Sequence, residues 1–352
     1  MRIGVPREVK PGERRVALLP DDVGALVEAG HEVVVQLQAG AAVGADDDAY
    51  FERGAFNGTA AQVWGCELVV KVKEMLPEDL RHLPPDRAIF CFHQLPSEPE
   101  RTRALAERRA TAIAFEMVRD ARGGFPLLAP MSVISGRMAV EAVSCFLPAQ
   151  GGRALVLGAG NAGMSAARVA LDRGMTVAIL TRSEGSRDAA RSAGFACDLA
   201  TPQAIEREAL AADLVVGAVL APGQPTPKLL PRALVRRMKP GAVIADISID
   251  AGGVAETSRA TSHAEPTFED EGAIHYCVSN IPGADPGAAT AALSSALRPL
   301  VRELASFGIG AALRTNAGLR EGLLLWHGHV VHPGIAESAG LPYTRLSPED
   351  FA

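Results

Sequence analysis

The sequence predicts an α/β protein built from two doubly wound parallel-sheet domains with a cleft between them. Short runs of consecutive Val, Ile and Leu residues alternate with helical segments along the chain, which is typical of parallel strands that are buried on both faces. This alternation occurs in two series, on either side of a segment near residues 130–147 that contains few helix-breaking residues. The length of 352 residues fits two domains of ordinary size.

The first series supplies a small α/β domain. Its elements, in order, are the strand RIGVP, a helix over DDVGALVEAG, and the strands HEVVVQ, CELVVKVK, RAIFCF and TAIAFE. The segment that follows, PMSVISGRMAVEAVSCFL, is amphipathic at helical spacing, and we expect a long linking helix there.

The second series begins abruptly at residue 153. Its elements, in order, are the strand RALVLGAG, the helix NAGMSAARVALDRG, and the strands MTVAILTRS, ADLVVGAVL, GAVIADISI and IHYCVSN. Strands separated by helices in this way predict a second doubly wound sheet. A further helical pattern, GAATAALSSALRPLVRELAS, could carry the chain back to the first domain.

Charge and hydropathy exclude several classes of partner. The chain has 35 basic and 41 acidic residues, a net charge of −6, and no Lys/Arg-rich run, so we expect no nucleic-acid partner. No segment approaches eighteen uninterrupted apolar residues and the N-terminal sequence has no apolar signal region, so we expect a soluble cytoplasmic protein that does not enter a membrane.

Cysteine and lysine usage add two details. The five cysteines are widely spaced and form no CxxC pair, which favours reduced thiols and argues against a metal site. Of the 35 basic residues only five are lysines, and two of them, Lys71 and Lys73, lie within one tetrapeptide.

The strongest local motif is GAGNAG at residues 158–163, which lies directly after a strand and directly before a helix. In that context the first glycine permits a tight turn, the second lets a pyrophosphate approach the backbone, and the third lets helix and strand pack closely. The motif predicts a Rossmann-like dinucleotide site. Its candidate residues are Gly158, Gly160, Asn161, Ala162 and Gly163.

The end of the next strand bears on which dinucleotide binds. An acidic residue there would bind the ribose 2′-hydroxyl, but this chain has Thr181, Arg182 and Ser183. Two hydroxyls and a guanidinium can hold a phosphate, so we favour NADP(H). NAD(H) stays possible, because an arginine here can also be exposed to solvent or stack on adenine.

Over nearly its whole length the chain resembles the family of alanine dehydrogenases and nicotinamide nucleotide transhydrogenase domains, and it is closer to the alanine dehydrogenase branch. The resemblance is carried by RIGVPREVKPGERRVALLP, VVKVKE, LLAPMSVISGR, GAGNAG, GAVLAPGQPTPKLL, MKPGAVIADISIDAGG, EPTF with YCVSNIPG, and GLLLWHGHVVHPGIAESAGLPY. It implies a discontinuous substrate domain at residues 1–128 and 288–352, a nucleotide domain at 129–287, and a homo-oligomer, a dimer or larger.

The resemblance also implies specific site residues. The substrate carboxylate and carbonyl would be held by Arg15 in the GERRV segment and by Lys73. Further cofactor contacts would come from Ser132, Val219, Leu220 and Ser295.

Three positions depart from the dehydrogenase pattern. In ungapped register the family's catalytic His falls on Gln94, with His93 one place earlier, and its catalytic Asp falls on Gly272, behind Asp270 and Glu271. Ser295 stands where the family has Asn. The group that moves protons during deamination is therefore open, and His93, Gln94, Asp270 and Glu271 are the candidates besides Lys73.

These observations lead to two hypotheses. The first is an NAD(P)-dependent oxidoreductase that transfers hydride between the nicotinamide and a small carboxylate-bearing amino acid, oxo acid or imine. The alternative is a non-catalytic NAD(P)-binding regulator or degenerate paralogue. Arg15 and Lys73 separate them, because a nucleotide sensor does not need a substrate-binding pair.

Overall fold

The computed structural model describes residues 1–95, 98–219 and 225–351. The chain divides into two compact units, one made of residues 1–130 and 285–352 and the other of residues 131–284. The strands are β1 Arg2–Val5, β2 Glu32–Gln36, β3 Phe56–Gly58, β4 Leu68–Val70, β5 Ala88–Cys91, β6 Thr111–Ala114, β7 Arg153–Leu157, β8 Thr176–Thr181, β9 Cys197–Leu199, β10 Leu214–Gly217, β11 Val243–Asp246, β12 Thr267–Asp270, β13 Ala273–Tyr276, β14 Leu323–Trp326 and β15 His329–Val330.

The helices surround both sheets. They are α1 Pro20–Glu28, α2 Asp47–Glu52, α3 Ala60–Trp64, α4 Pro77–His82, α5 Pro99–Glu107, α6 Leu128–Ala142, α7 Asn161–Asp172, α8 Glu184–Ser192, α9 Pro202–Ala211, α10 Arg232–Val235, α11 Pro286–Phe307, α12 Ile309–Thr315, α13 Ala317–Arg320 and α14 Pro333–Ala339. Within the described ranges, no helix is both long and apolar enough to cross a bilayer.

The first unit contains an eight-stranded sheet in the order β15-β14-β6-β5-β4-β1-β2-β3. Strands β1 to β6 are mutually parallel, and β14 and β15 extend the sheet in antiparallel fashion. The strand order reverses between β1 and β4: the chain moves outward from β1 to β2 and β3, and then returns to the other side of β1. This reversal is the topological switch point of the sheet.

The second unit contains a seven-stranded sheet in the order β12-β13-β11-β10-β7-β8-β9. All strands are parallel except β12, which pairs with β13 as an antiparallel hairpin at the edge. The order reverses between β7 and β10, in the same way as in the first sheet. The fold class predicted from the sequence, two doubly wound α/β sheets, is confirmed in both units.

Continuous apolar strands form because both faces of each sheet are covered. On β7, Ala154 and Val156 pack into one hydrophobic cluster, and Leu155 and Leu157 pack into another on the opposite face. Because these four residues pack into clusters on both faces, residues 154–157 are apolar without polar alternation, and only Arg153, at the start of the strand, is exposed.

Candidate functional site

The glycine motif forms the connection between β7 and α7. Gly158 has a φ of +111°, a left-handed conformation that side chains rarely adopt. A Cβ on Gly163 would lie 1.9 Å from the carbonyl oxygen of Gly158, whereas a Cβ on Gly160 would meet nothing within 4 Å. Two glycines are therefore required by the turn and its packing, and the space in front of the third is open.

The N-terminus of α7 faces that open space. Its cap residue, Gly160, has no side chain, and Asn161, the first helical residue, is exposed. The first N–H groups of a helix have no partner within the helix and carry the positive end of its dipole. The loop also follows the strand at the switch point of the sheet. A phosphate of a dinucleotide fits this arrangement.

The end of β8 carries the three residues that are candidates for the ribose site. Thr181 is buried, and the hydroxyl of Ser183 accepts a hydrogen bond from the backbone N–H of Ser186 at 3.2 Å, capping α8. Arg182 is exposed, and its guanidinium forms no hydrogen bond or ion pair with any residue in the described ranges. Arg182 is thus the charged group available to a ligand here.

The remaining candidate cofactor residues lie in different surroundings. Ser132 is half-buried on α6, and Val219 follows β10, where its N–H donates to the Ser248 hydroxyl at 2.9 Å. Leu220 lies outside the described residues. Ser295 is exposed on α11, whereas its neighbour Ser294 is buried and accepts a hydrogen bond from the N–H of Leu19.

In the first unit, charged residues gather at the switch point between β1 and β4. Lys71 follows β4 and is 1% exposed. Its ammonium lies 2.9 Å from Asp79 and 3.3 Å from Glu8, which follows β1, and it donates to the carbonyl of Glu74 at 3.1 Å. Burial acts to lower the pKa of Lys71, but the two carboxylates outweigh it and raise the pKa. Lys71 is therefore charged, and it links the segments that follow β1 and β4.

Glu8 connects the two strand ends directly. Its carboxylate accepts a hydrogen bond from the N–H of Val72 at 2.6 Å. Burial raises the pKa of Glu8, against the opposing charge of Lys71. This bond ties the segment after β1 to the segment after β4, one residue before Lys73.

Arg15 lies on the long connection between β1 and α1 and is 2% exposed. Glu13 holds its guanidinium with two parallel hydrogen bonds, 2.7 Å from Nε to Oε1 and 2.6 Å from Nη2 to Oε2. A planar guanidinium held at one edge is fixed in orientation, which is the requirement for bidentate recognition of a carboxylate.

Lys73 is 6% exposed and lies in an environment rich in carboxylates. Burial acts to raise the pKa of Glu74, but the hydrogen bond from Lys10, at 2.5 Å, and the charge of Lys73 lower it. Burial raises the pKa of Glu116, and the charge of Lys73 opposes that shift as well. The sequence places this lysine after β4, and the structure gives it a buried, polar setting.

His93 and Gln94 take opposite orientations. The His93 ring is fully buried, its Nε2 lies 3.2 Å from the carbonyl oxygen of Ile89, and burial lowers its pKa to about 4. Gln94 is half-buried and has a φ of +52°. The carboxylate of Glu116 accepts both backbone N–H groups, at 3.1 Å from His93 and 2.8 Å from Gln94. The structure thus places Gln94, and not the His93 ring, nearer the surface.

Asp270 and Glu271 lie at the turn between β12 and β13. Glu271 accepts hydrogen bonds from Arg232 and Arg236, and Asp270 accepts from Arg232 at 2.8 Å. Because β13 runs parallel to β11 and begins just after this turn, the turn is at the amino edge of the sheet. The glycine loop is at the carboxyl edge, so the structure does not bring these carboxylates to the loop.

One acidic residue at the carboxyl edge was not among the sequence candidates. Asp250 lies on the 3-10 turn Ile247–Ala251, directly after β11, which neighbours β10 in the sheet. It is exposed, and its carboxylate has no hydrogen bond or ion pair to residues 1–95, 98–219 or 225–351. A sequence signal did exist: an acidic residue just after a buried parallel strand, in ADISIDAGG.

Buried polar groups hold this turn in place. Asp246, at the end of β11, accepts hydrogen bonds from the N–H of Val254 at 2.7 Å and from the hydroxyl of Ser258 at 2.6 Å, and burial raises its pKa in spite of them. The hydroxyl of Ser248 donates to the carbonyl of Val219 at 3.0 Å. The segments after β10 and β11 are thereby tied together beside the glycine loop.

A doubly wound sheet with a glycine loop and a bare helix N-terminus at its switch point defines the class of Rossmann-type nucleotide-binding α/β proteins. The chain also carries a second sheet of the same order, with buried cations at its own switch point.

Comparison with known proteins identifies the family within this class. Residues 4–135 match the N-terminal domain and residues 136–333 the C-terminal domain of the alanine dehydrogenase/PNT family. An alanine dehydrogenase of Staphylococcus haemolyticus is 38% identical, covering 98% of each chain, and one of Halomonas elongata is 39% identical, covering 99% of each. A solved L-alanine dehydrogenase superposes with a TM-score of 0.91 at 36% identity, covering 100% of both chains. The chain belongs to the alanine dehydrogenase/PNT family, as the sequence motifs predicted.

Proposed function

We propose that this protein is a nicotinamide-dependent oxidoreductase that interconverts a small amino acid with its oxo acid and ammonia, with alanine and pyruvate as the first pair to test. The single observation that carries the proposal is the glycine loop at the switch point of the second sheet, in a chain that matches alanine dehydrogenases over its full length. When bound, the nicotinamide supplies or accepts the hydride.

The first unit supplies the substrate-binding cations. Arg15, oriented by Glu13, would bind the substrate carboxylate, and the ammonium of Lys73 would polarise the carbonyl or imine being reduced. Both cations are buried, which strengthens their attraction for an anion, because water screens them poorly. A surface role would not require this burial, and we take it as support for a substrate site.

We propose Asp250 as the carboxylate that exchanges protons with the substrate. It is exposed at the carboxyl edge of its sheet and has no partner in the described part of the chain. Of the earlier candidates, His93 is enclosed in the core, and Asp270 and Glu271 are ion-paired at the opposite edge. Gln94 can hydrogen-bond the substrate but cannot exchange a proton at neutral pH.

We propose NADP(H) as the preferred nucleotide, with NAD(H) as the alternative. The support is Arg182, an exposed guanidinium at the end of β8 that no described residue neutralises. In Rossmann-type sites an arginine at this position accommodates the 2′-phosphate, and an acidic residue selects the 2′-hydroxyl. Replacing Arg182 with Ala should reduce any preference for NADPH without altering the capping hydroxyl of Ser183.

The test is an assay of reductive amination, in which the reaction is monitored through the loss of the reduced nucleotide. We expect turnover with pyruvate and ammonium, measured separately with NADPH and NADH. Lys73→Met should lower kcat/KM by about 10²–10³-fold while leaving the nucleotide Kd unchanged, because it removes a donor aimed at the reacting carbonyl. Lys239→Met, which removes an exposed lysine paired with Asp213, is the matched control and should leave both values unchanged.

Other outcomes would redirect the proposal. If pyruvate with ammonium is inert, and a preformed imine or an oxo acid with a primary amine is reduced, the substrate is an imine. If the protein binds the nucleotide but reduces none of these, the hydride-transfer proposal is wrong. The alternative, a non-catalytic nucleotide-binding regulator, would then account for the fold.

A further inference from the structure

Lys228 binds three backbone carbonyls of one turn. Its ammonium donates to the carbonyl oxygens of Gly252 at 2.5 Å, Gly253 at 3.0 Å and Ala255 at 2.9 Å. These three bonds use all three protons of the ammonium. The residues it holds begin two positions after Asp250, at the point where the chain leaves the 3-10 turn.

The backbone of this turn is held from two sides. Gly252 and Gly253 both have positive φ angles, +101° and +78°. On one side the Asp246 carboxylate accepts the N–H of Val254, and on the other side the Lys228 ammonium binds the carbonyls. An anion therefore holds the N–H groups, and a cation holds the carbonyl groups, of the same short segment.

The position of Lys228 itself is held by neighbouring backbone bonds. The N–H of Leu229 donates to the carbonyl of Val254 at 2.7 Å, and the N–H of Leu230 donates to the same oxygen at 3.1 Å. The segment carrying Lys228 thus runs alongside the turn. Lys228 is exposed, so its ammonium is held by these hydrogen bonds and not by enclosure in the core.

The choice of lysine is informative in a chain that otherwise uses arginine. Only five of the 35 basic residues are lysines. A guanidinium is planar and presents its donors in a fixed fork, so it cannot direct three N–H groups at carbonyls that converge on one point. A compact ammonium can. The geometry of the turn explains why this position holds one of the five lysines.

We propose that Lys228 is a positioning residue that holds the 252–255 turn and thereby aims Asp250 at the reacting substrate. The inference rests on the proposed function of Asp250. Loss of the ammonium leaves three carbonyls without their partner, and the turn and Asp250 shift together. A misplacement of about 1 Å is enough to lower a rate by about 10²-fold.

The experiment is a double-mutant cycle on the full-length protein, with pyruvate and ammonium as substrates. The variants are Lys228→Met, Asp250→Asn and the double variant, with Lys239→Met as the control for loss of an exposed lysine. We expect Lys228→Met to lower kcat by roughly 10-fold or more, with KM and the nucleotide Kd within about 3-fold of wild type. In the Asp250→Asn background it should lower kcat no further.

Each other result overturns the inference. If Lys228→Met lowers kcat equally in both backgrounds, it acts without Asp250; if it has no effect, the turn does not need it. Lys228→Arg keeps the charge and is the second variant if the Met variant does not fold, and wild-type kcat in this variant would also overturn the inference. If Asp250→Asn alone has wild-type kcat, the proposed role of Asp250 fails, and this result is separate from any effect of Lys228.

Discussion

The two units share one strand order but differ in what fills the switch point. The order β3-β2-β1-β4-β5-β6 in the first unit corresponds to β9-β8-β7-β10-β11-β13 in the second. After β7 the chain enters α7 within residues 158–160, whereas after β1 it takes residues 6–19 to reach α1. The short connection exposes a helix N-terminus, and the long one places charged side chains over the strand ends.

This difference shows how one topology produces two kinds of strand-end environment. Where the connection is short and rich in glycine, it leaves the N-terminal N–H groups of a helix uncapped, and there we propose that a nucleotide phosphate binds. Where it is long, a buried network of Glu8, Lys71 and Asp79 forms instead, and Arg15 and Lys73 are buried on the connections that follow β1 and β4. Three predictions test the contrast, in order of expected effect.

The largest effect is expected from Lys71→Met in the first unit. It leaves the buried carboxylates of Glu8 and Asp79 without their cation, which should lower the free energy of unfolding by about 3–5 kcal/mol. Denaturant unfolding measures this loss. Lys239→Met removes a lysine whose side chain is 44% exposed and should cost no more than about 1 kcal/mol. Equal losses in the two variants would show that the Lys71 network does not stabilise the unit.

The second effect is expected from Gly163→Ala in the second unit. The new Cβ would lie 1.9 Å from the carbonyl oxygen of Gly158, so the loop must shift, at a cost of up to about 3 kcal/mol. We expect a lower Tm and weaker nucleotide binding. Gly160→Ala, which meets nothing within 4 Å, should keep the Tm of wild type and weaken only nucleotide binding. A normal Tm for Gly163→Ala would contradict this account of the loop.

The smallest effect is a pH dependence arising from His93. Burial lowers its pKa from 6.5 to about 4, so between these values the unfolded chain binds a proton that the folded chain does not. The stability this group contributes is therefore complete above pH 6.5 and is lost as the pH falls toward 4. At pH 5 the loss should be roughly 2 kcal/mol relative to pH 7. Urea unfolding of the wild type and of His93→Phe should reveal it, with a smaller pH dependence in the variant. A variant whose stability falls as steeply as that of wild type would assign the loss to other groups.

Much of the fold was accessible from the sequence because its signals are local. The central strands of the second unit, such as β7 and β10, consist mainly of apolar residues, and GAGNAG lies between a strand and a helix as the motif requires. The linking helix was predicted over residues 130–147, and α6 spans Leu128–Ala142, followed by the 3-10 turn Ser144–Phe146. The difference lies at the ends, where capping and packing outweigh periodicity.

The catalytic candidates were harder to predict, because side-chain direction depends on the whole sheet. His93 was a candidate because it follows a strand, yet it continues the inward alternation of Ile89 and Cys91 and packs into the core. Asp270 and Asp250 both lie next to buried strands. Only the strand directions place the first at the amino edge and the second at the carboxyl edge.

The sequence by itself determined the two α/β series, the glycine loop, the family and the scarcity of lysine, because each depends on residues close together in the chain. Tertiary structure decided which charges meet. Lys71 is paired with Glu8 from a distant strand end, and Lys228 closes on carbonyls more than twenty residues away. Such contacts exist only after the sheet has brought strand ends together, and burial then sets the strength of each charge.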